Sequence, residues 1–291
     1  MSAPFRQVFI PSSFQELFST WNRSPDAALY AGGTEHIRNL PGRIPLLPDN
    51  IISLHKLEEL HKINRTERYI EIGAMVKLNQ IIQLGKIVPE ALTRCLECIA
   101  GYQLRNLITI GGNICHSSRR LDSSGPMIAL DAQYELRTAQ SARWIPAARF
   151  SSLPGPPALA PQEILTRIRI PLEPWNFTSY RKLRSASSHE PGAGILITMR
   201  NQKNILSQIR VVYSGKAVLR DKNSETMLAG KRLPLERKDA EAFVDSWKTY
   251  LSALEGVKAY IFLGSGGSLP PELAMAQILN FIETTIMRIS D

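Results

Sequence analysis

At 291 residues the chain is about twice the length of a usual domain, which points to two domains or three. Its 44% apolar and 21% charged residues are ordinary globular usage, and 18 Gly with 19 Pro are too few for a collagenous or low-complexity chain. A net charge of +9 favours anionic partners, yet Lys and Arg are scattered with no RNP, KH or zinc-finger signature, so nucleic-acid binding is not expected.

In chain order, Ser13-x-x-Glu16 resembles a capping box, and Phe14, Leu17, Phe18 and Trp21 follow at helical spacing. AALYAGG reads as a strand ending in a Gly pair, and IISL, YIEIGA and LITIGG read as further short strands. KLNQIIQL and PEALTRCLECIA between them read as helices. Cys95 and Cys98 form a C-x-x-C, but Cys95 shares an apolar helix face with Ala91, Leu92, Leu96 and Ile99, and a metal site would need a second ligand pair. Helix packing is the expected role. Met127 to Ile145 reads as two strands around a polar turn, SSLPGPPALAP as a Pro-rich loop, and EILTRIRIP as a strand with imperfect alternation.

After LEPWN the pattern changes. TSYRKLR, GAGILITMR and ILSQIRVVYSG read as three antiparallel strands. Two helices follow, striped by Ala240, Phe243, Val244, Trp247 and Leu251, and by Met275, Ile278, Leu279, Ile282 and Ile286. Strands first and helices afterwards suggest a separate α+β domain, with the boundary near residue 175. No apolar run approaches the ~18–20 residues of a membrane span, and no signal-peptide pattern opens the chain. Three cysteines agree with a reducing compartment, so a soluble cytoplasmic protein is expected, with no membrane partner.

Two glycine turns carry the chemical information: Tyr30-Ala31-Gly32-Gly33-Thr34-Glu35 and Thr109-Ile110-Gly111-Gly112-Asn113. Glycines permit positive φ and remove side chains, so successive N–H groups can converge on an oxyanion, and two such turns could hold both halves of a pyrophosphate. Gly33 and Gly111 are each expected to leave room for the phosphates. Neither turn is G-x-G-x-x-G or a Walker loop, so Rossmann and P-loop sites are not supported. No catalytic triad and no metal-ligand set is evident.

The longer pattern QLRNLITIGGNICHSSRRLDSSGPMIALDAQYEL, taken with AGGTE, IISLHKLEELHKI and YIEIGAMVKLNQI, resembles the FAD-binding medium subunit of the molybdenum hydroxylases, the xanthine dehydrogenase and carbon monoxide dehydrogenase type. Arg105-Asn106 before Thr109-x-Gly111-Gly112-Asn113, with Ala129-Leu130-Asp131-Ala132 later, is its specific combination. The resemblance implies an α+β chain. Residues 1–175 would form a vanillyl-alcohol-oxidase (PCMH)-type FAD-binding domain of two α+β subdomains, about 1–57 and 58–175. Residues 176–291 would form a smaller α+β domain, a three-stranded antiparallel sheet with helices.

It further implies FAD as cofactor, wrapped at the pyrophosphate by the loop Leu29, Tyr30, Ala31, Gly32, Gly33, Thr34, Glu35 and His36. Thr109, Gly111, Gly112 and Asn113 would contact the diphosphate and ribityl region, Asp122 would hydrogen-bond the cofactor, Leu165 would lie near the adenine end, and Lys182 would touch FAD at the domain junction. Substrate oxidation would belong to a large molybdopterin subunit. Electrons would arrive through a small [2Fe–2S] subunit and leave to NAD or O2. One departure stands out: where the family has A-S-P-x-x-D, this chain has His116-Ser117-Ser118-Arg119-Arg120-Leu121-Asp122. Arg119 and Arg120 could pair with phosphate or face an acidic partner. The competing readings are a flavin-free assembly module of the same fold and a stand-alone FAD reductase of the cell-wall UDP-sugar type.

Overall fold

A computed structural model describes residues 7–35, 48–116, 122–151, 157–183, 193–215, 217–254 and 271–290. The chain begins with β1 (Gln7–Phe9), α1 (Phe14–Arg23), β2 (Ala28–Tyr30) and β3 (Asn50–Ser53), which form a parallel sheet in the order β1-β3-β2. Helix α1 starts at Ser13 because its side chain accepts the Glu16 N–H, and it buries Phe14, Leu17 and Phe18. The Glu16 carboxylate reaches back to Ser12 rather than to Ser13, so the capping box is displaced by one residue.

A five-stranded antiparallel sheet follows, ordered β4-β5-β8-β6-β7. Its strands are β4 (Ile63–Arg65), β5 (Tyr69–Gly73), β6 (Gln133–Arg137), β7 (Ala142–Pro146) and β8 (Ile164–Pro171). Between β5 and β6 run α2 (Leu78–Gln83), α3 (Glu90–Glu97), α4 (Tyr102–Arg105), α5 (Ile110–Ile114) and α6 (Ser124–Ala129), and α7 (Ala147–Phe150) follows β7. Cys95 is fully buried in the α3 stripe and all three cysteines are free, which fits packing. Arg105 and Asn106 have a structural task. The Arg105 guanidinium donates to the carbonyls of Glu97, Ile99 and Ala100 and to Asn79, whose side-chain amide donates to Asn106. They tie the end of α3 to α2.

Two expected strands are corrected. LITIGG contributes only a single bridge, Thr109 with Lys77, and then turns into α5. Ile108-Thr109-Ile110 has strand-like β-branching, but the Thr109 hydroxyl accepts the Gly112 N–H and caps a helix instead. The two strands expected from Met127 begin only at Gln133, because residues 124–129 form α6, which tolerates Pro126 in its first turn.

The C-terminal part contains β9 (Phe177–Leu183), β10 (Ala193–Gln202), β11 (Ile205–Ser214) and β12 (Val218–Leu219), then α8 (Lys222–Met227), α9 (Arg237–Ala253) and α10 (Pro271–Ser290). The three expected strands pair antiparallel, and two-residue β12 adds a fourth at the β11 edge. Side chains alternate across a strand, and both faces of this sheet are covered. Ile195, Ile197, Ile209, Val211 and Tyr213 join the core of α9 and α10. Leu196, Val212 and Tyr180 join the core of the preceding region, against α3 and α6. The sheet is a middle layer. No helix among the described residues is long and apolar enough to cross a membrane.

Candidate functional site

The first turn leaves β2 at the edge of the parallel sheet. Tyr30 accepts the last bond there, from the Leu54 N–H, and the chain then bends through Ala31-Gly32-Gly33. Gly33 has φ +69, and a Cβ on it would lie 2.0 Å from the Tyr30 hydroxyl, so only glycine suits the position. Among the described residues no acceptor receives the N–H groups of Ala31, Gly32, Gly33 or Thr34. Gly33 is buried, and a buried N–H without a partner is costly unless something else accepts from it. Four successive donors of this kind make a site for an anion.

The second turn abuts the first. A Cβ on Gly32 would lie 2.2 Å from the Leu107 carbonyl oxygen, so the two backbones touch. The same oxygen accepts from the Lys77 amine at 3.1 Å, which brings a half-buried cation beside both turns, its pKa lowered by burial. His116 Nε2 lies 3.0 Å from the Glu35 carboxylate and spans the turns again. The donors of the second turn, however, are already used. The Gly111 N–H donates to Ala74 O (2.8 Å), Gly112 to the Thr109 hydroxyl (3.1 Å) and Asn113 to Thr109 O (3.0 Å). Among the described residues, N–H groups without an acceptor therefore run from Ala31 to Thr34, while those of Gly111, Gly112 and Asn113 are taken. Gly111 is dictated by packing: a Cβ there would lie 2.7 Å from both Cβ and O of Ala74.

Beyond α5, Asn113 accepts from the buried Ser123 hydroxyl. The neighbouring Asp122 is also buried, and its two oxygens accept from Tyr180 (3.1 Å) and from the Lys182 amine (2.8 Å), both on β9. Lys182 also donates to Cys98 O at 3.3 Å. Leu165 sits in β8 within the core, paired with Leu136. It is joined to the second turn through Thr166, whose carbonyl accepts from Ala74 N–H, while Ala74 O accepts from Gly111. Leu29 and Tyr30 are half-buried in β2, and His36, Arg119 and Arg120 lie outside the described residues.

The structure thus brings the two turns together and couples Asp122 to Lys182. Lys77, Ser123 and Tyr180 were missed by the sequence reading. Tyr180 was within reach of it, since it lies two residues before Lys182 and so on the same strand face. Among the described residues no His, Cys, Asp and Glu group could hold a metal.

Residues 3–173 match the family described as FAD binding domain in molybdopterin dehydrogenase. The chain belongs to this family. It is 33% identical over 155 residues to the xanthine dehydrogenase FAD-binding subunit of Escherichia coli O157:H7, covering 52% of this chain and 52% of that one, so the match spans about half the length of that relative. It is 30% identical over 223 residues to the carbon monoxide dehydrogenase medium chain of Hydrogenophaga pseudoflava, covering 75% of this chain and 77% of the relative. The fold superposes on a solved carbon monoxide dehydrogenase chain from that organism with a TM-score of 0.78, over 100% of this chain and 98% of that one at 23% identity, which is a likeness of fold.

For a member of this family the cofactor is FAD, and the chain has the PCMH-type α+β fold. The residues present fit it. The pyrophosphate of FAD is an anion in need of donors, and the N–H groups from Ala31 to Thr34 are donors without an acceptor among the described residues.

Proposed function

We propose that this chain is the FAD-binding electron-transfer subunit of a multi-subunit molybdenum hydroxylase, acting in the cytoplasm beside a small [2Fe–2S] subunit and a large molybdopterin subunit. The observation that carries the reading is the run of N–H groups at Ala31–Thr34 that no described residue accepts from, held against the second turn. Bound FAD supplies the redox chemistry, taking electrons from an iron–sulfur donor and yielding them to an acceptor such as NAD or O2.

The chain's own residues do the holding. The loop from Leu29 to His36 would take the pyrophosphate, with the N–H groups of Ala31 to Thr34 as donors. Thr109, Gly111, Gly112 and Asn113 would form the facing wall, with Gly111 setting its close approach to Ala74. Asp122 and Lys182 would meet the cofactor where residues 1–175 join residues 176–291, and Leu165 would contribute apolar surface at the adenine end. Three cysteines cannot ligate a pair of [2Fe–2S] clusters, each of which takes four ligands, which supports placing the clusters on a partner.

The purified chain should bind added FAD, turn yellow, and be reduced by dithionite and reoxidised by an artificial acceptor. It should leave purines, aldehydes and carbon monoxide unchanged until the partner subunits are added. A colourless protein that ignores FAD would favour the assembly-module reading, and turnover of any of those substrates by the single chain would overturn the subunit assignment.

A further inference from the structure

Asp122 is reached from the C-terminal sheet by two side chains of one strand. Tyr180 and Lys182 project from the same face of β9, and in register they stand opposite Leu196 and Gly194 on β10. The Tyr180 ring lies over Gly194, where a Cβ would come within 2.4 Å of the hydroxyl. On α3 the fully buried Cys95 thiol lies near the same hydroxyl. Burial, followed by the neighbouring Asp122 charge, pushes the thiol's pKa well up, so it stays protonated. Burial raises Tyr180 as well. The Tyr180 hydroxyl donates to Asp122 Oδ1, while the Lys182 amine donates to Oδ2.

We infer that Tyr180 is a positioning residue for the cofactor: by holding one oxygen of Asp122 while Lys182 holds the other, it fixes the carboxylate and the adjoining Ser123–Asn113 pair at the wall that receives FAD. Lys182 alone could swing Asp122 about one contact, whereas two donors from one strand, 3.1 and 2.8 Å away, set its plane. The inference rests on the reading of Asp122 as a cofactor residue, and its test separates the two.

The dissociation constant for FAD is measured by titration of the full-length apo chain, with melting temperature and far-UV circular dichroism recorded for every variant. Tyr180→Phe keeps the ring over Gly194 and removes only the hydroxyl. It should weaken FAD about tenfold, as expected for a lost hydrogen bond to a charged group. Asp122→Asn should weaken FAD at least as much, and the double variant should lose no more than Asp122→Asn alone, because Tyr180 acts through Asp122. Fluorotyrosine at position 180, which keeps ring and donor, should restore wild-type binding and serves if Tyr180→Phe lowers the melting temperature. Losses that add in the double variant, or wild-type affinity in Tyr180→Phe beside a weakened Asp122→Asn, would overturn the positioning role and leave the cofactor reading standing. Wild-type affinity in both single variants would remove Asp122 from the cofactor site and the inference with it.

Discussion

The two glycine turns differ most at single residues. Gly33→Ala would place a Cβ at a backbone conformation costing about 1–2 kcal/mol and against the Tyr30 hydroxyl, within the run of N–H donors from Ala31 to Thr34. It is expected to lower FAD affinity tenfold or more with little change in far-UV circular dichroism. Gly111→Ala should behave differently. Its Cβ would strike Ala74 and strain the 2.8 Å bond between their backbones, an overpacking that costs about 1–3 kcal/mol. Its melting temperature should fall in the apo chain, before any effect on cofactor is measured. If Gly111→Ala melts like wild type and only FAD is lost, that glycine serves phosphate space after all. Both turns were legible from strand-like residues ending in Gly-Gly, because that pattern is local. Which donors are already used was not legible, since the acceptor of the Gly111 N–H is Ala74, 37 residues earlier and on another segment.

Strand β8 shows what alternation can hide. Arg167 and Arg169 face outward, Arg169 bonded to Glu71 (2.7 Å) and stacked over Trp144 (4.0 Å), Arg167 bonded to Glu135 (2.8 Å). The alternation of EILTRIRIP is imperfect because the register with β6 shifts between Glu135 and Leu136, and a sequence read one strand at a time carries no trace of its partner's bulge. Burial alone would raise the Glu135 carboxyl, but hydrogen bonds from Arg167 and Thr166 outweigh it and hold the pKa below the usual range. The Glu163 carboxyl is held low chiefly by Arg143. Depressed carboxylates contribute stability that is present above their unfolded pKa, about 4.3, and is lost as pH falls through the lower folded values. Melting temperature should therefore drop steeply below about pH 4. Glu135→Gln should flatten that drop while costing about 1–3 kcal/mol at neutral pH. An unchanged acid limb in this variant would show that other carboxylates govern it.

On the scale of the whole molecule, the β9–β12 sheet is shared by two cores. It is also pinned electrostatically to the end of α6. Arg210 donates to the Ala129 carbonyl, pairs with Asp131 at 2.7 Å and lies 4.8 Å from the Trp175 ring centre. Arg220 reaches Ile128 O and holds Glu225. Asp131 itself has φ +52, an uncommon conformation for a residue other than glycine, which this pairing accompanies. Arg210→Ala should destabilise the chain by about 1–3 kcal/mol and loosen the two cores from each other. Limited proteolysis should then cut between Pro171 and Phe177 faster than in the wild type.

The shared sheet has a consequence for how the chain can be divided. The match to the FAD-binding family ends at residue 173, before the first residue of β9. A polypeptide ending at 175 would keep Asp122 but lose Tyr180 and Lys182, and it would bare the sides of α3 and α6 that Leu196 and Val212 cover. Expressed by itself it should aggregate or remain bound to chaperones, and sedimentation beside the full-length chain would show it. The stretch that the family match covers is smaller than the stretch whose side chains complete its core.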